Sequence, residues 1–450
     1  MTIKMNRILL VLVTLTGSLV SPDGFAQDTT VLKIDQLIMA YQKLDKFTGT
    51  ALVARKGQVI LEKGYGYRDE QIKETNDAGT IFQIASVTKT FTATMVLKLA
   101  ELHRLSLSDK LSKWYPAFPN SDKITIENLL SHTSGIFDHT RKDTVIRLNT
   151  PEKMMAFLAK NPLDFEPGTD WRYSNSGYSI LGFIIGKVSG MTYEQAIRHY
   201  IFNPLHMTQS GFDFEHLQSC QKAKGYSAGE GGKTIASFSD SSIVFAAGAI
   251  YSTVGDLYKW HRGLQDYRIA DSTLMKKAYT PLQKNYGYGW IIDSVADHKM
   301  VYHTGNIAGF SSILLRIPGD DICIVLLNNQ EGILEPVARK IVDILYSRPY
   351  SVPIKKIAIS LPDSTLSRYT GTYDVADIHL TLEVTLENHQ LIAHAAGGPT
   401  FPLTPEKQNQ FYINEGEAVI EFVTDSKRKI TGLIITQNNQ QHSGKKINRL

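Results

Sequence analysis

Apolar residues at Val31, Leu32, Ile34, Leu37, Ile38 and Tyr41 recur at helical spacing and predict a helix over Thr30 to Lys46. Two runs of strand character follow, Gly49 to Arg55 and Gln58 to Gly64, and the Lys56-Gly57 pair between them reads as a tight hairpin. Ser86 to His103 is apolar on nearly all sides, its only charges before Glu101 being Lys89 and Lys98, so a buried helix is expected. From about Leu105 to Gly263 helices and loops alternate, with Gly229 to Gly232 as a loop. Tyr286 to Asp293, Met300 to His303, Phe310 to Ile317 and Ile322 to Asn328 then read as strands, with Pro318-Gly319-Asp320-Asp321 as a turn, before a helix over Glu335 to Tyr346. Strands at both ends and helices between them predict one sheet assembled from the two ends of the chain. Pro349, Pro353 and Pro362 mark a linker, and the alternating short runs beyond Tyr369 predict a small all-β sandwich or barrel.

Composition narrows the class. The chain has 450 residues, 42% hydrophobic and 20% charged, which excludes a disordered or fibrous protein. Lys+Arg 48 against Asp+Glu 44 gives a net charge of +4, with no run of five or six like charges, so the charge pattern excludes a nucleic-acid footprint and leaves a small molecule or peptide as the partner. Two cysteines, Cys220 and Cys323, cannot build a disulfide framework or a four-ligand metal site, and a single bridge between them stays open. At the N-terminus Lys4 and Arg7 precede an apolar stretch from Ile8 to about Val20, and the small residues Gly24 and Ala26 follow. This reads as a signal peptide over residues 1–26, too short in its apolar part for a membrane span, so a periplasmic or secreted protein without a transmembrane anchor is expected.

The chemistry begins at Ser86-Val87-Thr88-Lys89, where a hydroxyl and an amine three residues apart share one helical face. A serine hydroxyl needs an adjacent base to become a nucleophile, and burial lowers a lysine's pKa enough to make it one. Ser219/Lys222, Ser426/Lys429 and Ser443/Lys446 share the spacing, but none of them opens an apolar helix. Tyr173-Ser174-Asn175 lies between the loop signal Pro167-Gly168 and an apolar helix from Gly177. A tyrosine there relays a proton to a leaving group, and Asn175 binds a substrate amide. Tyr412-Ile413-Asn414 repeats that spacing within an expected strand. His303-Thr304-Gly305 ends a strand, so that His303 and Thr304 offer donors to a substrate carboxylate and Gly305 admits the substrate backbone. His442-Ser443-Gly444 is its look-alike. Asn128 to Gly135 reads as a helix ending in a glycine cap, and the scattered histidines 132, 139, 206, 216 and 261 give no metal pattern.

Ser86-x-x-Lys89, Tyr173-x-Asn175 and His303-Thr304-Gly305 in this order, with Leu129-Leu-Ser-His-Thr-Ser-Gly135 between the first two, resemble the serine β-lactamase and penicillin-binding protein superfamily, nearest its class C β-lactamase and D-alanyl-D-alanine carboxypeptidase branch. The resemblance covers about Thr30 to Ser347. It implies an α/β (α+β) fold, an antiparallel sheet flanked by helices with an all-helical insertion. It also implies acylation of Ser86, acid/base work shared by Lys89 and Tyr173, an amide site at Asn175, and an oxyanion hole from the backbone N–H groups of Ser86 and Asn306. No metal or cofactor is implied. His303 departs from the lysine that class C β-lactamases carry in the third motif. With an ordinary pKa near ~6.5 it is expected to be partly cationic and to hold a substrate carboxylate less well as pH rises. The tail from Tyr369-Thr-Gly-Thr-Tyr is similar to the lipocalin-like module of such hydrolases, giving expected units at 27–347 and 365–450 with a linker at 348–364. The expected activity is hydrolysis of D-amino-acid-containing peptides or related amides and esters, with peptidoglycan fragments or β-lactams among the candidates. An esterase, an acyl transferase, or an acylated sensor without turnover remain the alternatives.

Overall fold

The computed structural model describes residues 23–141, 150–229, 232–237, 241–396, 398, 400–413, 418–437 and 440–447. Residues 1–22 of the expected signal peptide 1–26, and Asn414, lie outside the described residues; helix α1 (Asp23–Lys43) begins four residues before the expected cut after Ala26. Its stripe of Ile34, Leu37, Ile38 and Tyr41 is buried. Strands β1 (Gly49–Arg55) and β2 (Gln58–Tyr65) follow as the expected hairpin. Lys56 at φ 51° and Gly57 at φ 75° form its turn, the pair of left-handed residues that a two-residue hairpin needs to match strand twist.

The chain returns to this hairpin from its other end. Strands β3 (Ile291–Val295), β4 (His298–Ile307), β5 (Phe310–Ile317) and β6 (Ile322–Asn328) complete a six-stranded antiparallel sheet in the order β2-β1-β6-β5-β4-β3. Every residue of β5 and β6 is buried, because both faces of the sheet are covered. Ile313, Leu315, Ile324 and Leu326 face α1 and the helix at 335–345, while Leu314, Val325 and Leu327 face the helical half. That two-sided burial explains why these strands read as continuous apolar runs rather than alternating ones.

The helical half is built on α2 (Thr88–Glu101), whose residues from Thr88 to Leu97 are all buried. Phe91 stacks on Trp260 at a centroid distance of 4.3 Å. Helices α3 (Ile126–Leu130), α4 (Asn175–Ser189) and α5 (Val254–Gln265) pack around it. Helix α6 (Glu335–Leu345) then crosses the opposite face of the sheet.

Four expectations need correction. The strand expected over Tyr286 to Asp293 starts at Ile291, because Tyr286, Tyr288 and Trp290 turn inward as a buried loop closed by the Gly287 N–H to Trp290 carbonyl bond. His303 does not end a strand, for β4 continues to Ile307. Helix α3 stops at Leu130 without a glycine cap: Ser131 is its C-cap, and His132 takes the left-handed conformation at φ 61°. The stretch from Leu105 to Gly263, expected to hold helices and loops, also contains the antiparallel strand pair Tyr226–Gly229 and Gly232–Ile235. Cys220 is exposed and Cys323 buried, both free, which closes the question of a bridge.

Residues 347–362 run without regular structure, and the helical turn Asp363–Leu366 that follows buries Leu366 in the second unit. This unit is a closed barrel of eight antiparallel strands, β7 to β14, between Gly371 and Ile447, each paired with its neighbours in sequence and the last with the first. Its filling, including Tyr369, Tyr373, Phe411 and Phe422, is a separate apolar core. The barrel meets the first unit at α6 and β3, around a cavity of about 900 Å³. No described helix is long and apolar enough to cross a membrane.

Candidate active site

Ser86 sits where strand-like backbone turns into α2. Ala85 before it holds φ 45°, a conformation that costs an L-residue about 1–2 kcal/mol and that only the surrounding packing sustains. A short 3₁₀ turn, Ala85–Val87, then enters the helix. From Thr80 to Leu97, Ser86 is the one residue not buried, so the strained turn delivers a single hydroxyl to the surface of a closed core.

One helical turn on, Lys89 is fully buried. Its Nζ lies 3.0 Å from Ser86 Oγ, 2.8 Å from Asn175 Oδ1 and 2.8 Å from the Ala247 carbonyl. The last two are acceptors only, so the amine donates to both. When neutral, it has its lone pair left for the Ser86 proton. Desolvation pulls its pKa down to about 7, against the opposing pull of Asp138. The rings of Tyr173 and Tyr178 stand 4.8 and 5.5 Å from the same nitrogen.

Tyr173 and Asn175 flank Ser174, the N-cap of α4, whose side chain accepts from the Gly177 N–H. Helix initiation therefore fixes both motif residues relative to Lys89. Desolvation raises the Tyr173 pKa above its usual value, with the Ser86 hydroxyl beside it partly opposing the rise, so Tyr173 rests protonated. The loop carrying Tyr173 is held by His132. The His132 carbonyl accepts from the Arg172 N–H, its Nδ1 accepts from the Ser174 N–H at 3.2 Å, and its ring lies 4.4 Å from that of Tyr173. The segment expected to be an unremarkable helix end is thus a clamp on the tyrosine.

On the opposite wall, β4 presses against the Ser86 turn. A Cβ on Gly305 would stand 2.3 Å from the Ile84 carbonyl and 3.0 Å from the Ser86 nitrogen, so a strand can come this near only with glycine there. Thr304 is half-buried and Asn306 exposed on either side of it.

His303 overturns the expected charge. It is buried, and its Nδ1 lies 2.6 Å from the Thr304 carbonyl, an acceptor, so Nδ1 carries the proton. Nε2 is then the acceptor for the Tyr286 hydroxyl at 3.0 Å. Desolvation and the nearby Lys89 lower its pKa to about 3. The imidazole is neutral with both nitrogens engaged, so it offers neither a positive charge nor a spare donor to a carboxylate.

Ser86, Lys89, Tyr173, Asn175, His303, Thr304 and Gly305 therefore come together, while the look-alikes do not: Ser426/Lys429, Ser443/Lys446 and Tyr412 belong to the barrel unit, and Ser219/Lys222 has no regular helix. Asp138, His132, Tyr286 and the Ala247 carbonyl were not foreseen. Only the Leu129 to Gly135 run hinted at part of them. Among the described residues, no group of three or more His, Cys, Asp or Glu is placed to hold a metal ion.

Residues 34–345 match the family model described as Beta-lactamase, and residues 355–448 match a domain of unknown function, DUF3471. A penicillin-binding protein of Bacillus subtilis (strain 168) is 27% identical over 409 residues, covering 84% of this chain and 90% of that one. The octameric penicillin-binding protein homologue from Pyrococcus abyssi superposes with a TM-score of 0.66 at 26% identity, over 94% of this chain and 100% of that one. D-amino acid amidase from Ochrobactrum anthropi SV3 shares the fold at a TM-score of 0.62 and 22% identity, over 71% of this chain and 98% of that one.

Proposed function

The chain belongs to the Beta-lactamase family, a family of serine hydrolases, and on that premise we propose that it cleaves D-amino-acid amides, esters or peptides through an acyl-enzyme on Ser86. The observation that carries this reading is the 3.0 Å contact between a fully buried lysine amine and the half-buried Ser86 hydroxyl above it.

In the proposed cycle, neutral Lys89 takes the Ser86 proton as Oγ attacks the substrate carbonyl carbon. The backbone N–H groups of Ser86 and Asn306 receive the developing oxyanion. Tyr173, protonated at rest, gives its proton to the departing nitrogen or oxygen and regains one from Lys89. Water then attacks the ester carbonyl, its proton passes to the same pair, and Ser86 leaves as a hydroxyl. Asn175 holds Lys89 through its Oδ1, whose second lone pair accepts from the substrate amide N–H.

The neutral His303 shapes the substrate range. A wall without a cation at this position favours acyl donors lacking a free carboxylate there, so amides and esters are preferred over peptides ending in D-Ala-D-Ala. We also propose that residues 1–26 direct export, that 27–347 form the hydrolase unit, and that 365–450 form an appended unit joined by 348–364. The test is a panel of β-lactams, D-Ala-D-Ala peptides, D-amino-acid amides and short esters, assayed with wild type and Ser86→Ala. Turnover of amides or esters that Ser86→Ala abolishes is expected. Turnover retained by Ser86→Ala would overturn the proposal.

A further inference from the structure

Behind Lys89 a second line of polar groups extends away from Ser86. Asn175 Oδ1 accepts from Lys89 Nζ at 2.8 Å. The Asn175 amide nitrogen faces Asp138 Oδ2 at 3.2 Å and Thr140 Oγ1 at 3.2 Å. Asp138 is itself fixed, its Oδ1 accepting from the Thr140 N–H at 3.1 Å and hydroxyl at 3.0 Å. Asp138 is 5% exposed.

This arrangement permits one orientation of the Asn175 amide. With its N–H groups drawn to Asp138 and Thr140, the carbonyl oxygen must face Lys89; a flipped amide would set N–H against N–H and leave the Asp138 carboxylate facing an oxygen. We propose that Asp138 is a positioning residue for Ser86 acylation, acting through Asn175 on the orientation of Lys89 and through its own charge on the readiness of that amine to take a proton. The inference rests on the acyl-enzyme reading above and adds a fourth member to its chain, Ser86–Lys89–Asn175–Asp138.

The charge has a clear sign. Among the described residues, the titratable groups around Lys89 are Tyr173 just before α4, Tyr178 from its first turn, His132, Asp138 and His139 from the segment after α3, and His303 from β4. Burial holds all three histidines below their usual range, and burial raises both tyrosines. Asp138 is the carboxylate of the set and opposes the desolvation of the ammonium form. Removing its charge should make Lys89 easier to deprotonate and a weaker base once neutral.

The experiment measures the rate at which a fluorophosphonate labels Ser86 across pH in the full-length protein. In this reaction the Ser86 oxygen bonds to phosphorus, the phosphorus–fluorine bond breaks with loss of fluoride, and the serine proton passes to Lys89. Asp138→Asn keeps the shape and, with its single oxygen turned to the Asn175 amide, one of the two acceptors, and removes the charge. Its half-rise should move to lower pH by about half a unit or more, with a several-fold lower plateau. Asp138→Ala also frees the Asn175 amide and should lose at least a further ten-fold, with a far-ultraviolet circular dichroism spectrum and melt close to wild type. An Asp138→Asn profile superimposable on wild type would overturn the proposal and leave Asp138 structural only. A wild type that takes no label at Ser86 would overturn the acyl-enzyme reading and this inference with it.

Discussion

Lys89 combines two opposing demands. A lysine in water is a cation at neutral pH and useless as a base, whereas one stripped of water and left without partners would be too costly to bury. Here two carbonyl-type acceptors satisfy the amine while burial brings its pKa to about 7, so a sizeable neutral fraction exists at neutral pH. Because the proposed cycle uses the neutral amine, kcat/KM should rise with pH through about 7. His303 contributes nothing to this profile, since its pKa of about 3 lies far below it. His303→Gln is expected to alter the height of the pH profile and leave the position of its acid limb unchanged; a limb displaced by more than a few tenths of a unit would contradict the neutral imidazole. The three-motif pattern was legible from residue spacing and order. The charge of His303 was not, because it depends on Tyr286 and the Thr304 carbonyl closing over the ring, contacts no local pattern encodes.

At the level of elements, the site is a meeting of one strained turn, one helix start and one strand. Strands β5 and β6 and the β1–β2 hairpin were legible nearly to the residue, since apolar runs bounded by Lys56-Gly57 and Pro318 to Asp321 leave little freedom in where a strand stops. The Tyr286 to Trp290 loop was not, because its aromatic residues satisfy a strand pattern while tertiary burial draws them inward. The role of His132 was equally hidden, as its clamp joins residues 42 positions apart. Gly305 carries the sharpest consequence at this scale. Gly305→Ala places a Cβ within 2.3 Å of the Ile84 carbonyl and 2.5 Å of Ser312 Oγ, so β4 and the Ser86 turn must separate. The backbone donors proposed for the oxyanion hole are thereby displaced, and a loss of about 10²–10³ in kcat is expected. Steady-state kinetics on the best amide or ester of the panel, alongside a thermal melt, measure this; an undiminished kcat would place the oxyanion site elsewhere.

The whole molecule separates chemistry from appendage. The catalytic constellation opens on the α2 face of the sheet, whereas the barrel has its own core and adjoins α6 and β3, beyond the sheet's opposite face. A chain whose net charge is only +4 recruits its acyl donor through this local constellation rather than through a charged surface. The central claim is that the intact protein carries one nucleophile, Ser86, activated by Lys89. Intact-protein mass spectrometry after exposure to a fluorophosphonate or penicillin, followed by peptide mapping, tests it directly. One adduct per chain on the peptide containing Ser86, absent from Ser86→Ala and slowed at least about 10²-fold in Lys89→Met, is the predicted result. An adduct that maps to another residue or persists in Ser86→Ala would contradict it.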